Sequence, residues 1–387
     1  LEDFVFQSAT KIIFGKGAER NVGKEVKKYS SKILLHYGHG SIKKYGLYKR
    51  IVKSLKEEGI EIIELSGVQP NPVLSMVKEG IKICRQEKIN FILAVGGGSV
   101  IDSAKAIAIG VQITGDIWDC IVKKVKISSA LPVGVVVTVP ASGSEASDAT
   151  VITNEDKLIK KGYHSDEIRP KFSILNPELT YSLKSYQTAC GASDIMSHVM
   201  ERYFTNTKNV DLSDRLCEAT LKVVIENTPL VLDKPNDYNG RAEIMWAATI
   251  AHNGLLGMGR IEDWGSHKLG HEIGAMYGIA HGATISVIFP AWMKYVYKKN
   301  VGRFEQFAVR VFGIDAFSIS QEIAAVRGIE ELKNFYRKIG MPVSLKDLGI
   351  GDERIDEMSE KCTTWGPVGN FVKLYKEDVK KVFELAR

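Results

Sequence analysis

The chain has 387 residues, 44% hydrophobic and 25% charged, with a formal net charge of +6. This is the composition of an ordinary globular protein, with length for two domains and a large core. The positive charge is modest and spread along the chain, which argues against a nucleic-acid partner and leaves only a weak field for an anionic cofactor.

Five cysteines, Cys84, Cys120, Cys190, Cys217 and Cys362, stand far apart, odd in number and without a CxxC pair. They point to buried thiols in a reducing compartment rather than to disulfides or a thiolate metal site. The first residues, LEDFVFQSATKIIFG, carry acids where a signal peptide carries positive charge. The longest apolar run, near 130–141, is broken by Pro132, Gly134 and Pro140 and is too short to span a bilayer. The expectation is a cytoplasmic soluble protein with no membrane partner.

Two extended runs, FVF and KIIF, open the chain, followed by a helix over 18–28. KILLHY (32–37) reads as a strand, 43–58 as a helix stopped by Gly59, 60–65 as a strand and 73–87 as a helix. Strands at 91–95 and 133–139 flank a helix over 100–110, and 172–175 adds a further strand. Lys160, Lys161 and Tyr163 read as part of a loop before the change of texture near residue 180. Short, continuously apolar strands alternating with helices are the signature of a parallel sheet covered on both faces. From about residue 181 strand-like runs nearly vanish, and helices are expected over 187–204, 211–227, 239–255, 264–277 and 284–297. The expected organisation is an α/β half over 1–180 and an all-helical half over 181–387.

FILAVGGGSVIDSAK (91–105) runs from an apolar strand through three glycines into a helix. Glycines let backbone approach a ligand, and a helix N-terminus offers unpaired N–H groups to phosphate. Ser99 can cap that helix, whereas an acid as near as Asp102 is less obvious beside a phosphate. The pattern is neither a full GxGxxG nor a P-loop, and alone it equally fits a tight turn. TVPASGSEAS (138–147) is a second small-polar loop at a strand's carboxyl end, where open parallel sheets bind ligands. After KILLHY the chain reads Gly38-His39-Gly40-Ser41 with Lys43 and Lys44 following. No acid stands there to grip ribose hydroxyls; if a dinucleotide binds, this favours NADP over NAD, and otherwise the stretch is a helix start with two solvated lysines.

GASDIMSHVMER (191–202) places Asp194 and His198 one helical turn apart. Taken alone, the pair reads as a hydrogen-bonded contact. SHKLGHEIGAMYGIAHG (266–282) adds His267, His271 and His281. A carboxylate with two or three imidazoles suits Fe(II) or Zn(II), and spacing does not decide between His267 and His271 as ligand. His36, His39, His164 and His252 read as structural or surface histidines.

Together VGGGSVIDSAK, TVPASGSEAS, the DxxxH pair and the HxxxHxxxxxxxxxHG of 267–282 resemble the iron-containing (group III) alcohol dehydrogenases over essentially the whole chain. YGHGSIKKYG (37–46) and GYHSDEIRPKFSILNPELTYSL (162–183) resemble the butanol dehydrogenase-like, NADPH-preferring branch. The resemblance implies an α/β dinucleotide-binding domain over 1–180 and an all-α metal-binding and substrate domain over 181–387, with metal ligands Asp194, His198, His267 and His281 and with His271 a non-ligand that relays protons or packs on nicotinamide. It implies that Gly38, Ser41, Gly97, Gly98, Ser99, Asp102, Thr138 and Ser142 line the dinucleotide, that Lys160 or Lys161 nears it, and that the protein is a homodimer. Ser142 departs from the family's usual Thr but keeps the hydroxyl. The implied activity is metal-dependent hydride transfer between NADP(H), with NAD second, and a small primary alcohol or aldehyde such as butanol or butanal. Two alternatives are a metal- and dinucleotide-dependent lyase of the dehydroquinate synthase type and a non-catalytic nucleotide-binding metalloprotein. The few cations in LLGMGRIE (255–262) speak against the lyase, which needs a basic pocket.

Overall fold

The computed structural model describes residues 1–387 and divides into two compact units. One is Gln7–Leu183, and the other joins Leu1–Phe6 to Lys184–Arg387. The strands are β1 (Lys11–Phe14), β2 (Lys32–Tyr37), β3 (Glu61–Ser66), β4 (Ile92–Gly96), β5 (Val133–Val137), β6 (Ala149–Asn154), β7 (Ile159–His164) and β8 (Phe172–Leu175).

Six of them form a parallel sheet in the order β1-β8-β5-β4-β2-β3. Parallel neighbours need crossovers, and the helices Leu47–Glu57, Leu74–Gln86 and Gly98–Gln112 provide three of them. The strands β4, β5 and β8 are buried at every position, as their mostly apolar sequences require, and the one polar side chain among them, Ser173, donates to the Glu145 carbonyl at 2.6 Å. The edge strands β1 and β3 keep exposed residues. Leu35, Leu93, Val95, Val136 and Ile174 lie in one core cluster of the sheet, where the Phe91 and Phe172 rings stack at 6.0 Å.

Three expectations change. FVF makes no strand. Leu1–Phe6 instead belongs to the helical unit, where the Leu1 amino group donates to the Lys208 carbonyl at 2.6 Å and the Glu2 N–H to Gly259 O at 2.9 Å. The expected helix over 43–58 is interrupted at Gly46, whose φ of 74° separates Ser41–Lys44 from Leu47–Glu57. The expected loop around Lys160 is an antiparallel hairpin, β6 with β7. Its strands pair only with each other as a sheet, and β7 is mostly half-buried lysine-bearing chain, so no apolar run announces it. Glu155, just past β6, accepts the Leu74 and Ser75 N–H groups at 3.0 and 3.1 Å and so caps the Leu74–Gln86 helix.

The other unit is helical. Ser185–Tyr203 is its central element, buried continuously from Gly191 to Tyr203, and packs with Asp211–Asp233, Tyr238–His252 and His281–Val296. Gly265–Tyr277 packs against His281–Val296. No helix in the chain is long and apolar enough to cross a membrane.

Candidate active site

The chain leaves β2 outward to β3 but leaves β4 toward β5, so the sheet order reverses between β2 and β4. At such a reversal the carboxyl ends of the strands open a crevice for ligands. Gly38 follows β2, Gly96 ends β4, and the helix Gly98–Gln112 starts at once. Thr138 and Ser142 follow β5. A Cβ on Gly98 would sit 2.3 Å from Ser142 Oγ, so glycine there is what lets the two loops close on each other.

The same helix holds down the second loop. Asp102 accepts from Ser144 Oγ at 2.6 Å and from the Val151 N–H at 3.1 Å. One turn later the fully buried Lys105 donates to the carbonyls of Ser144, Ser147 and Ala149 at 2.6, 2.8 and 2.9 Å. Burial lowers the Lys105 amine to about 8, against the opposing pull of the Asp102 charge, and burial raises the Asp102 carboxyl. The Lys160 amine donates to Asn71 Oδ1 at 2.9 Å and its charge acts on Asp102. Lys161, the next residue of β7, points to the opposite face. At the end of β2, Lys43 lies over the Tyr48 ring at 4.7 Å and 3.8 Å from Glu64 Oε2.

The metal-type residues lie together in the helical unit. Ligand atoms of Asp194, His267 and His281 fall within 4.8 Å of one another. Asp194 Oδ1 is 3.5 Å from His198 Nε2 and 3.6 Å from His281 Nε2. Two donors each about 2.1 Å from a tetrahedral ion lie roughly 3.4 Å apart, so these separations fit one divalent cation. His267 Nε2 and His198 Nδ1 are buried atoms with no hydrogen-bond partner. Burial first, then the His252 and His267 rings, hold the His198 imidazole well below its ordinary range, in the neutral form a metal requires.

Local packing sets this geometry. The i,i+4 spacing of Asp194 and His198 puts both on one face of Ser185–Tyr203. A Cβ on Gly282 would lie 2.1 Å from the Cys190 carbonyl, and Ser193 Oγ donates to the Gly282 carbonyl at 2.8 Å. That bare contact brings the start of His281–Val296 against Ser185–Tyr203 and so carries His281 to Asp194. His271, one turn after His267, is buried outside the three-residue cluster, its ring 6.4 Å from His267 and 5.4 Å from His281.

Glu201 and Trp264 escape the sequence reading as site neighbours, and His252 reads there only as a structural or surface histidine. Glu201 accepts from His267 Nδ1 at 2.7 Å, His252 stacks on His198 at 4.2 Å, and the Trp264 ring stands edge-on to His267 at 4.9 Å. Only Glu201 had a signal, three residues after His198 on the same helix.

Residues 9–177 match the iron-containing alcohol dehydrogenase model, and residues 188–387 match the C-terminal model of the Fe-containing alcohol dehydrogenase family. The chain belongs to the iron-containing alcohol dehydrogenase family. A probable NADH-dependent butanol dehydrogenase 2 of Bacillus subtilis is 45% identical over 382 residues, 98% of each chain. The NADPH-dependent aldehyde reductase YqhD of Escherichia coli is 34% identical over 392 residues, all of both chains. The crystal structure of NADH-dependent butanol dehydrogenase A from Thermotoga maritima superposes with a TM-score of 0.96 at 43% identity, covering 100% of this chain and 98% of that one. These relatives favour neither the lyase nor the non-catalytic alternative.

Proposed function

We propose that this family member is an alcohol dehydrogenase and aldehyde reductase that moves a hydride between NADP(H) and a small primary alcohol or aldehyde of the butanol–butanal class. The observation that carries the reading is the donor cluster of Asp194, His267 and His281 beside the buried, neutral His198. These four residues would hold a divalent metal, Fe(II) first and Zn(II) second. When bound, the metal supplies Lewis acidity and the dinucleotide supplies the hydride.

The chain's own residues do the rest. Gly38, Ser41, Gly97, Gly98, Ser99, Thr138 and Ser142 receive the dinucleotide, and the Gly98 N-terminus of the helix faces its phosphates. Asp102, with Lys105 beneath it, keeps the 144–151 segment in place beside that turn. Lys160 is the lysine assigned to the cofactor, because its charge reaches Asp102. His271 takes and passes on the alcohol proton; its buried ring is 5.4 Å from that of His281.

NADP(H) rests on the acid-free strand end at Gly38. NAD(H) is the second reading, favoured by the names of the Bacillus and Thermotoga relatives, while the Escherichia relative is named for NADPH. A homodimer in the cytoplasm completes the proposal.

Anaerobic reconstitution with Fe(II) or Zn(II), followed by initial rates with NADPH and NADH over an aldehyde series, tests it. Steady oxidation of NADPH by butanal, with the larger kcat/KM for NADPH, is expected. A metal-loaded protein that binds NADPH but turns over no short aldehyde would sink the reading.

A further inference from the structure

Behind His267 lies a carboxylate that neither the metal nor the dinucleotide reading uses. Glu201 is completely buried. Its Oε1 accepts the His267 side-chain Nδ1 at 2.7 Å, the His267 backbone N–H at 3.0 Å, and the Ser266 hydroxyl. Its Oε2 accepts the Trp264 backbone N–H at 2.5 Å. No lysine or arginine makes an ion pair with it; all the donors it receives come from residues 264–267 at the start of the Gly265–Tyr277 helix.

An imidazole has two nitrogens, and the hydrogen bond made by one decides what the other can do. With Nδ1–H donated to Glu201, His267 presents Nε2 as a lone pair, and Nε2 is its buried, unpartnered atom. The backbone supports the same arrangement at a cost. Trp264 has φ 65° and ψ 9°, a left-handed conformation that a bulky side chain adopts only where its surroundings enforce it. That turn aims the Trp264 N–H at Oε2. Its indole ring walls His267 and donates to Glu262 Oε2, and Arg202 lies 4.9 Å over its face.

We propose that Glu201 is a positioning residue of the metal centre: it fixes the tautomer and direction of His267, and the left-handed Trp264 backbone fixes Glu201. Residues that orient a histidine ligand in this way govern metal affinity through the ligand's basicity and preorganisation.

This inference rests on the metal-site reading above, so its test begins from metal binding by the wild type. The apparent Co(II) dissociation constant is measured by chelator competition for wild type, Glu201→Gln and Glu201→Asp, together with the Co(II) absorption spectrum. The Gln variant is expected to bind roughly 10–100-fold more weakly with an altered d–d envelope, and the Asp variant, which keeps the charge, to recover part of the loss. A Gln variant with wild-type affinity and spectrum overturns the proposal. Wild type that takes up no Co(II) sinks the metal-site reading instead. Should Glu201→Gln fail to fold, Trp264→Gly and Trp264→Val decide. Both lose the indole, but only glycine accepts the left-handed backbone easily, so the Gly variant should bind Co(II) at least about 10-fold more tightly than the Val variant. Equal affinities overturn the proposal.

Discussion

At the scale of single residues, the five histidines around the donor cluster differ in what surrounds them. His281 lies in the cluster with Asp194 and His267, and His271 lies outside it. His281→Ala should lose metal and activity together. His271→Ala should keep metal within a few-fold and lose about 10²–10⁴ in kcat, as removal of a proton-transfer group does. Metal content by elemental analysis alongside kcat separates the two, and a metal-free His271→Ala would reverse the assignment. His36 shows the opposite use of an imidazole. It sits inside β2 with Nδ1 on the Leu65 carbonyl and Nε2 on Ser103 Oγ, both at 2.9 Å, and burial lowers it from 6.5 to about 4. Between those values the unfolded chain binds a proton that the folded chain does not. Stability is therefore full above 6.5 and falls as pH drops toward 4, by on the order of 3 kcal/mol from this group. Urea midpoints at about pH 7.5 and pH 4.5 should separate less for His36→Gln than for wild type.

At the scale of elements, the glycine turn and the loop after β5 act as one piece. In Gly98→Ala the new methyl meets Ser142 Oγ, which must leave its place beside the Ser144 N–H. A serine side chain can turn away, so the stability cost should stay within about 1–2 kcal/mol. The dinucleotide should suffer more, with Kd raised about 10-fold, because both loops that receive it shift; calorimetric titration with NADPH reads this. Unchanged affinity would separate Gly98 from the cofactor. The elements also show what was legible. KILLHY and FSIL were found to the residue because a strand buried on both faces is mostly apolar, with buried polar members such as His36 and Ser173 hydrogen-bonded inside. The hairpin of β6 and β7 was not, since Lys160 and Lys161 fit a solvated loop as well as a half-buried strand. Helical spacing placed Asp194 with His198 on one face, but it did not decide between His267 and His271, which the structure puts inside and outside the donor cluster. Nothing in the sequence announced a tryptophan at φ 65°, because that conformation goes with contacts to Glu201 and Glu262 that appear only in the folded chain.

At the scale of the whole molecule, the proposed function gives the dinucleotide to one compact unit and the metal to the other, so each unit should respond to its own ligand. A ligand present at 100 times its Kd adds about 2.7 kcal/mol to the form that binds it. Chelation should therefore raise hydrogen exchange in residues 185–203 and 265–296 and leave 11–175 unchanged. NADPH should protect residues 96–103 and 138–151. Exchange mass spectrometry of the metal-loaded, chelated and NADPH-bound protein checks this, and a uniform response of the chain to chelation would refute it. The placement of Leu1–Phe6 bears on how the molecule is made. Glu2 donates to the carbonyl of Gly259, about 250 residues later. At synthesis rates of roughly 5–20 residues per second, that partner leaves the ribosome roughly 10–50 s after Glu2. During that interval the sheet unit can form while residues 1–6 are still without their backbone partners in the helical unit. The helical unit is thus the last to close, and residues 1–6 dock only when it does.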